Sequence, residues 1–238
     1  MSKTNRLKPH QSAIVTAGIL SLVLMFVPVL HLVLLPMVYL NTHIHEFCHA
    51  LMAKLTGGYV DVIEVYGNGS GVTMTAGGFG FLISSAGYVG AALIGAFIMW
   101  RARTEARARV VLICMAAFLA VSMLLWVRGD LVGITSGLLW MAILGVTVRY
   151  VKGPNLMFAA QFIGMQQCLQ SALSLNELLK ISALTQGDSD ARNMELATHV
   201  PAIFWAVLWC SFSAAMVWVG LRRAWSSHPE SRISRPGA

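Results

Sequence analysis

The sequence predicts an all-α polytopic membrane protein of about six transmembrane helices, with a small β-hairpin between the first and second spans. Three observations carry this. The 238-residue chain is 57% hydrophobic and only 11% charged, with a mean hydropathy of +0.69, outside the range of ordinary soluble domains. Its apolar residues fall into six stretches, most of them near the roughly 20 residues a helix needs to cross a bilayer. Its charges are sorted by loop, basic on one side and acidic on the other.

The stretches are Ala13 to Leu40, Phe79 to Trp100, Val110 to Val127, Leu131 to Val148, Leu156 to Leu175 and Pro201 to Leu221. The first follows the basic start MSKTNRLK but is too long for a signal peptide and ends in no small-residue cleavage site, so it reads as a retained anchor. With a cytoplasmic N-terminus, 17 basic residues divide so that all but Lys54, Arg128, Lys180 and Arg192 lie inside. The opposite side keeps every acid except Glu105 and Glu230, as the positive-inside rule requires. Splitting Ala13 to Gly57 into two full spans would put RARTEARAR outside, so that region is expected to be one crossing, bent or broken near Pro28 and Pro36. The expected organisation is a cytoplasmic segment 1–12, one helical membrane domain 13–221 and a cytoplasmic basic tail 222–238, in the cell membrane with both termini inside.

A net charge of +7 could suggest nucleic acid, but the basic residues gather into no binding face, so no nucleic-acid partner is expected. The four cysteines show no disulfide spacing. Cys114, Cys168 and Cys210 sit in apolar helices, and Cys48 lies among histidines.

That last neighbourhood, HIHEFCHALMAKL (His43 to Leu55), is the informative one. Ionisable groups in a membrane helix are costly and usually functional. His45-Glu46-Phe47-Cys48-His49 is H-E-x-x-H, and on a helix His49 falls roughly 40° from His45, one turn along the same face. Both imidazoles can reach one zinc ion (Zn2+), while Glu46, on the flank, suits the base that holds a metal-bound water. His43 points about 160° away from His45 and reads as a bystander. Asn41, one turn before His45, is a candidate to support a ligand.

After the zinc helix, YVDVIEVY (Tyr59 to Tyr66), the turn GNGSG and VTMTA read as the hairpin, about 58–78. Its free edge could hold a peptide extended, or the hairpin could merely cap the bundle. Gly87, Ala91 and Gly95 form a small-xxx-small row that reads as helix packing, with the zinc helix a possible partner and Tyr88 then near the site. A second polar interruption, about 176–200, lies on the same side of the membrane as HEFCHA. A catalytic zinc takes three protein groups, and Asp188, Asp190 and His199 are the candidates here, with Glu177 and Glu195 as outsiders.

The chain resembles the M50 metallopeptidases, the site-2 protease-like membrane zinc proteases, and within them the M50B-like branch. The resemblance rests on HEFCHA followed by LTGGYV, on GVTMTAGG leading into SSAGYVGAALIGA, and on SDA (Ser189 to Ala191) before PAIFWAVLW. It implies zinc held by His45, His49 and a carboxylate from a distant segment, with Glu46 catalytic, cutting membrane-associated proteins. The N-P-x-x-D-G signature of the better-known site-2 proteases is absent. The SDA match favours Asp190 as third ligand, with Asp188 the alternative. The function expected is a zinc-dependent membrane-embedded endopeptidase, partnered by membrane protein substrates and the bilayer. A metal-binding transporter would usually show internal repeats, and none is evident. A non-catalytic scaffold would have no need of Glu46.

Overall fold

The computed structural model describes residues 7–27, 31–184 and 189–226, without the side chains of 31, 32 and 174–184. Its elements are α1 (Pro9–Phe26), α2 (His31–Leu55), β1 (Tyr59–Val65), β2 (Gly71–Ala76), α3 (Gly80–Arg101), α4 (Glu105–Leu125), α5 (Leu131–Tyr150), α6 (Gly153–Leu184), α7 (Asp190–Thr198) and α8 (Ala202–Trp225). Among the described residues α1, α3, α4, α5 and α8 are long and apolar enough to cross a membrane. The protein is a multi-pass helical membrane protein with one small sheet.

The chain ends show how the helices run. Gln11 Nε2 donates to the Trp225 carbonyl at 3.2 Å, and Arg103 Nη1 donates to the carbonyls of Arg223 and Ser226, both at 3.1 Å. Gly153 N donates to Glu105 Oε2 at 2.9 Å. The start of α1, the end of α3, the α5–α6 turn and the end of α8 therefore share one end of the bundle, which carries Arg101, Arg103, Arg107, Arg109, Arg149, Lys152, Arg222 and Arg223. At the other end, Phe79 N donates to Thr56 Oγ1 at 3.0 Å, joining the end of α2 to the start of α3.

The stretch Ala13 to Leu40, expected as one crossing bent or broken near Pro28 and Pro36, contains two helices, α1 and the start of α2. Val27, the residue before Pro28, is extended (φ −99°, ψ 103°) and ends α1, because a following proline disfavours the helical region. Pro36 lies inside α2 without ending it. Since α1 starts at one end of the bundle and α2 finishes at the other, the pair still makes one net passage, and about six passages remain. The segment 176–200, read as a polar loop, holds the end of α6 and all of α7.

α3 is the central helix, packed on α2, α6 and α8. It approaches α6 at the backbone: a Cβ on Gly95 would stand 2.5 Å from the Gly164 carbonyl oxygen, and one on Gly164 would stand 2.8 Å from that of Gly95. This is the close contact that small residues permit. α6 buries Gln161, Gln166, Gln167 and Gln170 inside the bundle.

The hairpin forms where the sequence places it. β1 and β2 pair antiparallel in the register Ile63↔Thr73, Glu64↔Val72 and Val65↔Gly71, with an irregularity between Val60 and Val62. Val60, Ile63 and Val65 are buried against Ala50, Ala53, Ile83 and Val127; Ile63 and Val65 show the alternation of a half-buried strand, and the irregularity after Val60 brings that residue to the same face. The hairpin lies along α2. Tyr39 Oη donates to Gly67 O at 2.9 Å and Thr42 Oγ1 to Gly69 O at 2.6 Å. The chain leaves through Gly78, whose φ of +76° and close approach to Thr56 suit only glycine.

Candidate metal centre

α2 presents two faces, and each carries part of the site. The first is the stripe 41, 45, 49. His45 and His49, four residues apart, place their Nε2 atoms 2.9 Å from each other, as one helical turn allows. Asp190 arrives from 145 positions along the chain, its Oδ2 standing 3.3 Å from His45 Nε2 and 3.2 Å from His49 Nε2. Three donors bonded to one zinc at about 2.0–2.1 Å in a tetrahedral array stand roughly 3.3 Å apart, so the spacing observed fits a metal.

The supporting contacts agree with that fit. His49 Nδ1 donates to the Ile83 carbonyl oxygen at 2.6 Å, which leaves the Nε2 lone pair facing the cluster, the arrangement a ligating histidine needs. Gly87 of α3 lies over the cradle. A Cβ there would be 2.4 Å from both Nε2 atoms, and its absence keeps the face of the two nitrogens clear. Among the described residues, His45, His49 and Asp190 are the group of metal-ligating side chains whose donor atoms all lie within 4.8 Å of one another.

α7 brings Asp190 to this place. Ser189 caps the helix, accepting from Arg192 N at 3.2 Å, and Asp190 follows at the favourable N-terminus. Ala191 and Met194, one turn apart, are fully buried and pack with Tyr88, Trp205 and Trp209. Those aromatics form a wall beside the site: Tyr88 meets the His45 ring edge-on at 4.5 Å and stacks on Trp209 at 5.2 Å. Burial alone would raise the Asp190 carboxyl, but the two imidazoles beside it hold it below the usual carboxylate range.

The second face of α2 runs 39, 42, 46 and holds the hairpin. Glu46 is buried. Its Oε2 lies 2.8 Å from Thr73 Oγ1, and its backbone oxygen 2.9 Å from the same hydroxyl. Gly71 approaches so closely that a Cβ would stand 2.8 Å from Glu46 Oε1.

The other residues singled out in the sequence stand elsewhere. His43 is buried with its Nε2 2.9 Å from Ser136 Oγ, outside the cluster. Asn41 is buried on the metal face, but its Oδ1 has no hydrogen-bond partner among the described residues; the Ile83 carbonyl supports His49 instead. His199 ends α7 in the left-handed region (φ 60°). Glu195 pairs with Arg192 at 3.0 Å and accepts from Ala202 N at 3.3 Å. Asp188 and the side chain of Glu177 lie outside the described residues. Gly71, Thr73 and the Ile83 carbonyl had no signal in the sequence, because each acts through folding of the hairpin or of α3 onto α2.

No curated protein and no solved structure matches the chain. A family model described as Peptidase M50B-like matches residues 15–220. That match takes in both segments of the His-His-Asp cluster, the hairpin and most of α8, and the chain belongs to the Peptidase M50B-like family.

Proposed function

We propose that the protein is a zinc-dependent endopeptidase working in the membrane on membrane-associated proteins. The observation that carries this reading is the meeting of His45, His49 and Asp190 at metal-ligand spacing beside the glutamate of H-E-x-x-H, in a chain of a peptidase family. His45, His49 and Asp190 are the residues to hold the ion. Bound there, zinc would activate a water and polarise the scissile carbonyl.

The chain's own residues do the rest. Glu46 takes a proton from the attacking water as the C–O bond forms, then delivers it to the departing amine as the C–N bond breaks. His49 is held by Ile83 in the tautomer that leaves Nε2 free. A helical substrate hides its own carbonyls, so it must be held extended to be cut. The hairpin beside Glu46 is suited to this, by pairing a substrate strand to its edge.

For orientation, the arginine-rich end of the bundle is assigned to the cytoplasm, with both termini, and the hairpin and α7 to the opposite side. Residues 13–221 then form one membrane protease domain in the cell membrane, between a short N-terminal segment and a basic tail.

The test joins metal content to cleavage. Purified wild type should carry about one zinc per chain and cut labelled casein, an unstructured polypeptide, in detergent. Glu46→Gln should keep the zinc and lose nearly all cleavage, and membranes from cells expressing it should accumulate uncut precursors. Cleavage by Glu46→Gln at a rate near wild type would refute the mechanism. A wild-type protein that cuts without zinc would refute the metal.

A further inference from the structure

The hairpin register fixes which backbone groups of β2 face outward. Tyr66 N donates to Ser70 O at 2.8 Å, so with the register Val65↔Gly71, Glu64↔Val72 and Ile63↔Thr73, the hydrogen-bonded pairs are 66/70 and 64/72. Residues of the intervening pairs turn their N–H and C=O away from the partner strand. Ile63 bears this out: its N donates to Trp126 O at 2.9 Å, and Arg128 N donates to Ile63 O at 3.4 Å, on the far side of β1. Its partner Thr73 therefore presents its backbone N–H and C=O on the opposite, outer edge of β2. No backbone hydrogen bond occupies that edge among the described residues.

The side chain of the same residue holds Glu46. Thr73 Oγ1 is the one hydrogen-bond partner of the Glu46 carboxylate among the described residues, at 2.8 Å. Beside it Gly71 leaves no room for a Cβ between strand and carboxylate. A buried carboxylate with a single donor has its orientation set by that donor. The hydroxyl also lies 2.9 Å from the Glu46 carbonyl oxygen. A hydroxyl that can donate to either oxygen ties the carboxylate and the helix backbone to the same point of β2.

We propose that Thr73 is a positioning residue for the reaction: its hydroxyl orients the Glu46 carboxylate, while its backbone offers the outer edge of β2 to an extended substrate. One residue thus links the strand that grips a substrate to the group that moves its proton. The inference rests on Glu46 being the base.

The test uses the full-length protein in detergent with labelled casein, and compares Thr73→Val, Thr73→Ser, Glu46→Asp and Glu46→Gln. Thr73→Val, nearly isosteric without the hydroxyl, should lower kcat by about 10–100-fold. KM should hold, because the backbone edge is intact, and zinc content and melting temperature should stay near wild type. Thr73→Ser should restore most of kcat. In a Glu46→Asp background, whose shorter carboxylate cannot reach the hydroxyl in the same way, Thr73→Val should cost much less than in wild type. Equal loss in Thr73→Ser and Thr73→Val, loss of zinc in Thr73→Val, or a fully additive double variant would overturn the proposal in favour of plain packing. Wild-type kcat in Thr73→Val beside an inactive Glu46→Gln would overturn it and leave the protease reading standing. An active Glu46→Gln would bring down both.

Discussion

Gly87→Ala adds one methyl group to the protein, and the structure says where it goes. The new Cβ would stand 2.4 Å from the Nε2 atoms of His45 and His49, where ordinary contact begins at 3.4 Å. Each imidazole must therefore retreat by about 1 Å, several times the roughly 0.2 Å tolerance of a zinc–ligand bond. α3 cannot retreat in their place, since the backbone of Gly95 is already against that of Gly164 and Tyr88 is stacked on Trp209. Nor is His49 free to swing, with Nδ1 held by Ile83. Loss of an outer-shell partner typically costs about 10–100-fold in metal affinity, and displacing two ligands at once should exceed that. Overpacking itself costs about 1–3 kcal/mol, so the variant should still fold. The assay is zinc per chain by elemental mass spectrometry after dialysis against a graded chelator, alongside thermal unfolding in detergent. Stoichiometric zinc at wild-type affinity in folded Gly87→Ala would refute the reasoning, because an ion in this cradle cannot share it with that methyl group.

Gly95→Ala supplies the contrast: its Cβ meets the Gly164 carbonyl at 2.5 Å and Cys168 Sγ at 2.7 Å, so the melting temperature should fall while the folded fraction keeps its zinc. Asp190→Ala should abolish zinc binding and cleavage, whereas Asp188→Ala should only weaken them; the reverse order, read by the same metal analysis, would move the third ligand to Asp188. Single cysteines at Ser70 and Asn193, in a chain lacking Cys48, Cys114, Cys168 and Cys210, should react with an impermeant maleimide from the side opposite the cytoplasm, and one at Lys152 only from the cytoplasm. Labelling of Ser70 and Lys152 positions from the same side would contradict the orientation.

The parts of the site legible in the sequence are those governed by helical periodicity. His45 and His49 share a face because 100° per residue places them there, and the same arithmetic sets His43 apart. Asp190 was reachable only through loop sidedness and a three-residue resemblance, since no local pattern links it to α2. The contacts of Glu46 with Thr73 and Gly71 span 27 and 25 positions and exist only because the hairpin folds back along α2. A backbone carbonyl leaves no mark in sequence, and for that reason Asn41 drew attention where Ile83 acts. Gly87 was read with Gly95 as one packing row. The row divides, because α3 turns Gly95 to α6 and Gly87 to the imidazoles. A bend or break near Pro28 was visible, but the apolar run on both sides of it concealed that α1 ends at Phe26 and a second helix starts at His31.

The seating of α7 bears on how the candidate site would respond if a bound ion were removed. His45 and His49 are built into a 25-residue helix, but Asp190 rides on a nine-residue helix whose buried residues are Ala191 and Met194. A bound metal would therefore act as a clasp, closing a loop of more than a hundred residues whose entropy would otherwise favour release. Stripping the ion should leave the α2 half of the site standing and free the α7 half first, so that limited proteolysis of chelated protein in detergent begins near Arg192 while the H-E-x-x-H helix stays protected.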